Sequence, residues 1–207
     1  PGGGEVMPVR YPMAIVGAGA LGLHFAARLV KVGRVAVIAR SGERAEELRK
    51  GVTVGGERFV PEAFGPDDAP GADWLIVLVK TGDTRDAALT ARAMAPRGVV
   101  SLQNGLVDEV LREACAGLLA GLGITTEGAF RDGSVVQPSG AGDTLLPPGF
   151  EPVAELLVAA GLRARVEPEI AAARLAKLLV NVAINPLAAI FRVRNGDAEQ
   201  CLGGARG

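Results

Sequence analysis

The stretch Met13-Ala-Ile-Val-Gly17-Ala-Gly19-Ala-Leu-Gly22 decides the fold of this chain. A short apolar strand leads directly into glycines spaced as G-x-G-x-x-G, and residues 23–32 continue with a helical pattern. In this setting the first glycine permits a tight turn, the second lets the backbone approach a pyrophosphate, and the third allows close helix–strand packing. The motif therefore predicts a dinucleotide-binding loop made of Gly17, Ala18, Gly19, Ala20, Leu21 and Gly22.

The second predicted strand, residues 34–39, ends at Arg40. NAD-selective proteins usually place an acidic residue here to hold the ribose 2′-hydroxyl, whereas an arginine can bind a 2′-phosphate through charge-assisted hydrogen bonds. Arg40 therefore favours NADP(H) over NAD(H), and NADPH is the expected cofactor. The alternative is an ordinary solvated arginine.

Two further strands are predicted to bring polar residues to the same edge of the sheet. Residues 73–79 form a predicted strand that is apolar from Trp74 onward and leads into Lys80, and residues 98–102 lead into Gln103, Asn104 and Gly105. Ligands of open α/β sheets bind at the carboxyl ends of strands, so Lys80 and Asn104 are expected beside the glycine loop. The alternatives are a solvated lysine and a tight Asn-Gly turn.

The other segments complete an α/β pattern. Helices are predicted at 43–50, 84–94, 107–118 and 151–160, a hairpin at 52–54 turning at Gly55-Gly56, and a last strand at 163–166. Short strands between residues 123 and 146 suggest antiparallel additions to the edge of the sheet. We expect a flexible tail over residues 1–11 and a Rossmann-type NADP-binding domain over residues 12–166.

A separate constellation lies near the C-terminus, in the apolar segment 174–186. Lys177, Asn181 and Asn185 are four residues apart, so they share one face of a predicted helix. A buried ammonium flanked by amides is unfavourable without a polar partner, and a ligand carbonyl or carboxylate would supply one. Alternatively, the three groups cap or bridge neighbouring backbone. Lysine is scarce here, with four among 22 basic residues, and unlike arginine it can release its proton when desolvated.

Composition excludes several functional classes. The chain has 207 residues, 49% of them hydrophobic, and a net charge of −1, which argues against nucleic acid as a partner. No apolar run reaches membrane-spanning length and the start lacks signal-peptide features. Two cysteines, Cys115 and Cys201, form no disulfide or metal pattern, which suits a reducing cytoplasm. With His24 as the only histidine, we expect no metal site and a structural role for this residue.

Together these motifs resemble the ketopantoate reductases (2-dehydropantoate 2-reductases) over residues 13–197. The most specific part is the helix Lys-x3-Asn-x3-Asn-Pro following a Rossmann domain; the Thr125-Thr126 stretch also matches. The resemblance implies that Lys177 is the catalytic acid and that Asn181 helps to hold the substrate, with Asn185 expected to contact it from the same helix face. It also implies that Lys80 and Asn104 line the cofactor and substrate cleft.

The implied activity is NADPH-dependent reduction of a small 2-keto acid, with ketopantoate the leading substrate, in a cytoplasmic enzyme of pantothenate synthesis that forms a homodimer. Residues 167–207 are expected to be the first part of an all-helical substrate and dimerisation domain. That domain is expected to be incomplete, because the serine and acidic substrate contacts of the family have no counterpart here. The alternatives are a related hydroxyacid dehydrogenase and a non-catalytic NADP(H)-binding or sensor domain.

Overall fold

A computed structural model describes residues 9–105 and 107–179, which divide between a first compact unit ending at residue 168 and a second beginning at residue 169. The strands of the first unit are β1 Tyr11–Val16, β2 Val35–Ile38, β3 Val52–Val54, β4 Glu57–Phe59, β5 Glu62–Phe64, β6 Ala72–Val77, β7 Gly98–Ser101, β8 Leu119–Leu122, β9 Ile124–Thr125, β10 Gly128–Asp132, β11 Val135–Gly140, β12 Asp143–Leu146 and β13 Arg163–Val166. Its α-helices are α1 Ala20–Leu29, α2 Gly42–Arg49, α3 Thr84–Ala93, α4 Asp108–Ala114 and α5 Glu151–Ala159, and a short 3₁₀ turn covers Thr81–Asp83.

The main sheet consists of six parallel strands in the order β5-β2-β1-β6-β7-β8. Counted along the chain, these are the third, second, first, fourth, fifth and sixth parallel strands, which is the Rossmann order. The direction of strand addition reverses at β1, so a crevice is expected outside the carboxyl ends of β1 and β6. The α/β, Rossmann-type fold predicted from the glycine motif is confirmed.

Both faces of the sheet are covered, as parallel sheets require. Successive side chains of β1 point to opposite faces. Met13 and Ile15 belong to the cluster that includes α1 and α5 residues, whereas Ala14 and Val16 belong to the cluster that includes α3 and α4 residues. This double burial explains why the central strands read as continuous apolar runs, and it holds their carboxyl ends in place.

Two strands of the main sheet were not predicted. The segment predicted as helix 107–118 contains α4 only to Ala114, and after Gly117, which has φ +85°, the chain enters β8. Glycine adopts positive φ easily, so Gly117 can complete the turn that follows α4 and leads into β8. The other strand, β5, is three residues long with one buried residue, Ala63, and so has no apolar run to reveal it.

The prediction that the short strands after residue 123 extend the main sheet was wrong. They form two other sheets, with orders β10-β11-β3-β4 and β13-β12-β9. The predicted hairpin is present as β3 and β4, but β3 also pairs in parallel with β11. Pairing between segments so distant in sequence depends on tertiary contacts and leaves no local signal.

The amino-terminal boundary also differs from the expectation of a tail over residues 1–11. Tyr11 is the first residue of β1 and is 3% exposed, and its hydroxyl donates to Glu62 at 2.6 Å. The Arg10 guanidinium donates to Asp73 at 2.7 Å. Ordered structure therefore begins before residue 12.

In the second unit, residues 170–179 are helical, and Lys177 lies in this helix. Two of its leucines, Leu175 and Leu179, are 58% and 61% exposed. Asn181 and Asn185 lie outside the described residues, so their predicted roles stay predictions. No helix in the described ranges has both the length and the apolar character needed to cross a bilayer.

Candidate dinucleotide-binding site

The glycine loop joins β1 to α1 at the reversal point of the sheet. The Gly17 N–H donates to the carbonyl of Ile38 at 2.9 Å, and Gly17 has φ +121°. A Cβ atom at this position would lie 2.5 Å from the Leu78 carbonyl oxygen, and one at Gly22 would overlap the Gly17 carbonyl oxygen. The first and third glycines are therefore required by the protein's own packing.

Gly19 differs from its two neighbours in the motif. It is exposed, it precedes the first residue of α1, and a Cβ built on it would meet no atom of the described residues within 4 Å. No side chain caps the N-terminus of α1, and the first turn of this helix carries no acidic residue. Helix N-terminal amides and open space are what a pyrophosphate needs, so the loop fits a dinucleotide.

Arg40 follows the end of β2, one strand away from the glycine loop. It is exposed, and it forms no hydrogen bond or ion pair with any residue between 9 and 179 that the structure describes. Beside it, Ser41 caps α2 by accepting a hydrogen bond from the Arg44 N–H at 3.3 Å. The Arg44 side chain donates to Glu47 at 2.6 Å, whereas the Arg40 guanidinium remains available to an anionic ligand.

The strand ends after β6 and β7 carry Lys80 and Asn104, both exposed. The hydroxyl of Thr81 donates to the backbone carbonyl of Asn104 at 3.3 Å, and the Gln103 side chain donates to the carbonyl of Val79 at 2.7 Å. Hydrogen bonds therefore join the two segments that carry these predicted site residues.

The structure places the glycine loop, Arg40, Lys80 and Asn104 at the carboxyl edge of one sheet, as the strand pattern predicts. Their roles toward a ligand stay predictions.

Lys177 belongs to the second unit, where it is half-buried, and burial lowers its pKa from the ordinary value of 10.5. Desolvation of an ammonium has this sign because it disfavours the charged form.

Gln103 was not singled out by the sequence as a site residue. Its amide bonds to Val79, Thr84 and Ser101, which come from three separate segments. The available signal was its place between a buried strand and an Asn-Gly turn, where a side chain can reach the neighbouring strand end.

The one histidine is buried, and it pairs with an acid far away in the sequence. His24 Nε2 lies 3.2 Å from a carboxylate oxygen of Glu127, and their side chains are 3% and 5% exposed. The Glu127 N–H donates to the hydroxyl of Thr125, which bonds to the hydroxyl of Thr144 at 2.9 Å. In the described residues, no group of three or more His, Cys, Asp or Glu is arranged to hold a metal ion.

This pair gives a prediction for stability against pH. Burial lowers the pKa of His24 below 6.5, Arg28 acts in the same direction, and Glu127 opposes them. The unfolded chain then binds more protons than the folded chain at mildly acidic pH. The free energy of unfolding is therefore expected to fall as the pH is lowered from 6.5 to 5, by at most about 1.4 kcal/mol per pH unit.

Urea denaturation at several pH values, for the wild type and His24→Gln, tests this expectation. The variant should lose most of the slope in this window, because no other histidine is present. Equal slopes in the two proteins would show that another group is responsible.

A six-stranded parallel sheet in this order, with a glycine-rich loop at its reversal point, defines a Rossmann-type dinucleotide-binding domain. Residues 13–149 match the family described as ketopantoate reductase PanE/ApbA, and residues 169–205 match the C-terminal domain of the same family. The chain belongs to the ketopantoate reductase family.

Individual relatives agree with this assignment. The chain is 37% identical over 196 residues to the 2-dehydropantoate 2-reductase of Archaeoglobus fulgidus. The match covers 88% of this chain and 65% of that protein. A PanE/ApbA family ketopantoate reductase from Ralstonia eutropha JMP134 matches with a TM-score of 0.71 at 26% identity, covering 89% of this chain and 65% of that one. D-mandelate dehydrogenase with NADH and anilino(oxo)acetate matches with a TM-score of 0.77 at 20% identity, covering 89% and 65%; this likeness concerns the fold alone. The chain thus spans about 65% of the length of these relatives.

Proposed function

We propose that this chain carries the nucleotide-binding domain and the catalytic lysine of an NADPH-dependent reductase that converts ketopantoate to pantoate. The observation that carries the proposal is the open position at Gly19, at the reversal point of a Rossmann sheet in a ketopantoate reductase family member. Family membership favours this activity over a non-catalytic sensor domain.

In this proposal the loop from Gly17 to Gly22 holds the pyrophosphate of a nicotinamide dinucleotide through backbone amides. The reduced nicotinamide supplies a hydride to the ketone carbon of the substrate. Lys80 and Asn104, at the ends of adjacent strands, bind the cofactor and the substrate from the same edge. Their exposed polar groups suit a carboxylate and a carbonyl oxygen.

Lys177 is proposed as the general acid that protonates the oxygen of the reduced ketone. A pKa lowered by burial makes the ammonium a stronger acid than an exposed lysine, so it gives up its proton more readily near neutral pH. Asn181 is proposed to orient the substrate and Asn185 to contact it. The substrate carboxylate would favour the charged form of Lys177 until the proton is transferred.

The preference for NADPH over NADH is attributed to Arg40. One charge-assisted contact to the 2′-phosphate contributes about 1.5–3 kcal/mol, or roughly a 10- to 150-fold preference. We expect Arg40→Asp to cancel or reverse this preference, because a carboxylate repels the phosphate and can accept from the ribose hydroxyl. Fluorescence titration of both cofactors gives the two dissociation constants.

A matched control is Arg58→Asp, which reverses the charge of an exposed arginine on β4, outside the main sheet. It should leave the cofactor preference unchanged. Wild-type protein that binds NADH as tightly as NADPH would contradict the role of Arg40.

The activity itself is tested by mixing the protein with NADPH and a panel of 2-keto acids and following the absorbance of the reduced cofactor. Faster turnover with ketopantoate than with its analogues is the expected result. Turnover restricted to other 2-keto acids would indicate a related hydroxyacid dehydrogenase. Cofactor binding without turnover of any of them would contradict the reductase and favour the sensor domain.

The proposed enzyme forms a homodimer and is located in the cytoplasm. Both its oligomeric state and its location stay predictions. The C-terminal family match over residues 169–205 supports a separate C-terminal domain, and residues 170–179 are helical. In this proposal that domain binds the substrate and a second subunit. Light scattering of the purified protein measures its mass in solution, and cell fractionation reports its location.

A further inference from the structure

Gln103 joins the two strand ends that carry Lys80 and Asn104. Its side-chain nitrogen donates to the Val79 carbonyl at 2.7 Å and to the Thr84 hydroxyl at 3.0 Å. Its side-chain oxygen accepts from the Ser101 hydroxyl at 2.8 Å. We call Gln103, Ser101, Thr84 and the Val79 carbonyl the Gln103 network.

The orientation of the amide follows from its partners. A backbone carbonyl can only accept, so the group facing Val79 has to be the amide nitrogen. The Thr84 hydroxyl accepts from the second amide hydrogen and passes its own hydrogen to the Thr81 carbonyl at 2.8 Å. Both amide hydrogens and the amide oxygen are therefore used, which selects glutamine over any residue that only accepts.

The network is shielded from water at two of its side chains. Ser101 is 0% exposed and Thr84 is 1% exposed. Hydrogen bonds in such surroundings are stronger than in water, and an unpaired member is correspondingly costly. The Gln103 network therefore holds one geometry.

The bond to the Val79 carbonyl links the backbone positions that precede the two predicted site residues. Val79 immediately precedes Lys80, and Gln103 immediately precedes Asn104. The Thr81 hydroxyl donates to the Asn104 carbonyl at 3.3 Å, which adds a second link between the same two segments. The directions in which Lys80 and Asn104 leave their strands are thus tied to one another.

We propose that Gln103 is a positioning residue, which sets the relative placement of Lys80 and Asn104 for the cofactor and the keto acid. The proposal rests on the proposed function, and it assigns no contact between Gln103 and either ligand. A displacement of about 1 Å in such groups can reduce turnover by roughly a hundredfold. Loss of the network should therefore reduce binding and catalysis more than stability.

The sharpest variant is Gln103→Glu, which keeps the size of the side chain and removes its donors. A carboxylate can still accept from Ser101, but it can no longer donate to Thr84, and it would face the Val79 carbonyl oxygen and repel it. Gln103→Met is the neutral companion, since it fills a similar volume without forming the network. The two variants separate the loss of the donors from the effect of a new charge.

The matched control is Thr144→Val, which removes a fully buried hydroxyl and its bond to Thr125 in the three-stranded sheet, away from the two strand ends. For all four full-length proteins, thermal unfolding, the NADPH dissociation constant, kcat and KM for ketopantoate are measured. Both Gln103 variants are expected to weaken NADPH binding about tenfold and to lower kcat/KM by about 10–100-fold. Thr144→Val should lower the unfolding temperature about as much as the Gln103 variants do. Its NADPH dissociation constant and its kcat/KM should stay within about twofold of wild type.

A Gln103→Met protein with wild-type NADPH affinity and kcat/KM would overturn the proposal. So would equal losses in Thr144→Val, because the effects would then follow general destabilisation. If the wild type binds NADPH but reduces no keto acid, the proposed function fails, whereas the NADPH affinities still decide the role of Gln103. Absence of NADPH binding by the wild type would contradict both.

Discussion

Replacing Lys177 by alanine is expected to lower turnover by about 10²–10⁴-fold while NADPH affinity remains nearly intact. The reason is that a general acid acts on the developing oxygen anion and contributes little to the ground state of the bound cofactor. Lys177→Arg should not restore activity, because a guanidinium is bulkier and too weak an acid to release its proton.

The pH profile gives an independent readout of the same residue. The charged form of Lys177 is the acid, so activity should fall as the pH rises through its pKa. Burial lowers that pKa, and the decline should therefore begin below the ordinary lysine value of 10.5. The residual activity of Lys177→Ala should lack this decline.

Steady-state kinetics at saturating keto acid and NADPH titration measure these effects. Lys31→Ala is a suitable control, since it removes an exposed lysine whose ion pair with Glu57 contributes little to stability. Its kinetics should match the wild type. Substantial turnover by Lys177→Ala under these conditions would refute the assignment of the general acid.

The second large effect is expected within the glycine loop, where two glycines serve different purposes. Gly19→Ala should reduce NADPH affinity by about 10–100-fold, because the added methyl group would occupy the space proposed for the pyrophosphate. The free energy of unfolding should change by less than about 0.5 kcal/mol, since no described atom lies near the new Cβ and φ is −76°.

Gly22→Ala provides the opposite case in the same motif. Its Cβ would overlap the Gly17 carbonyl oxygen, and backbone has to move to relieve the overlap. We expect a loss of about 3 kcal/mol in the free energy of unfolding, in the upper range for overpacked positions. Chemical denaturation and cofactor titration on both variants distinguish the two roles. A Gly19→Ala protein with unchanged NADPH affinity would contradict the proposed place of the pyrophosphate.

The sequence alone determined the fold class and the edge of the sheet where polar residues collect. Central parallel strands are buried on both faces, so β1, β6 and β7 are predominantly apolar, and the residues that follow them necessarily lie at one edge. The glycine motif could also be identified from the sequence, because tight turns and close helix packing restrict the residue type at fixed spacing. Local sequence patterns of this kind can be interpreted without knowledge of the tertiary structure.

Tertiary structure decided the features that join distant parts of the chain. The edge strand β5 and the parallel pairing of β3 with β11 depend on partners that local sequence does not specify. The pairing of His24 with Glu127 spans 103 residues, and the bond from Gln103 to the Val79 carbonyl spans 24. Polar side chains leave no periodic pattern, because each can be satisfied by many partners, and only the packed fold selects which one is within hydrogen-bond distance.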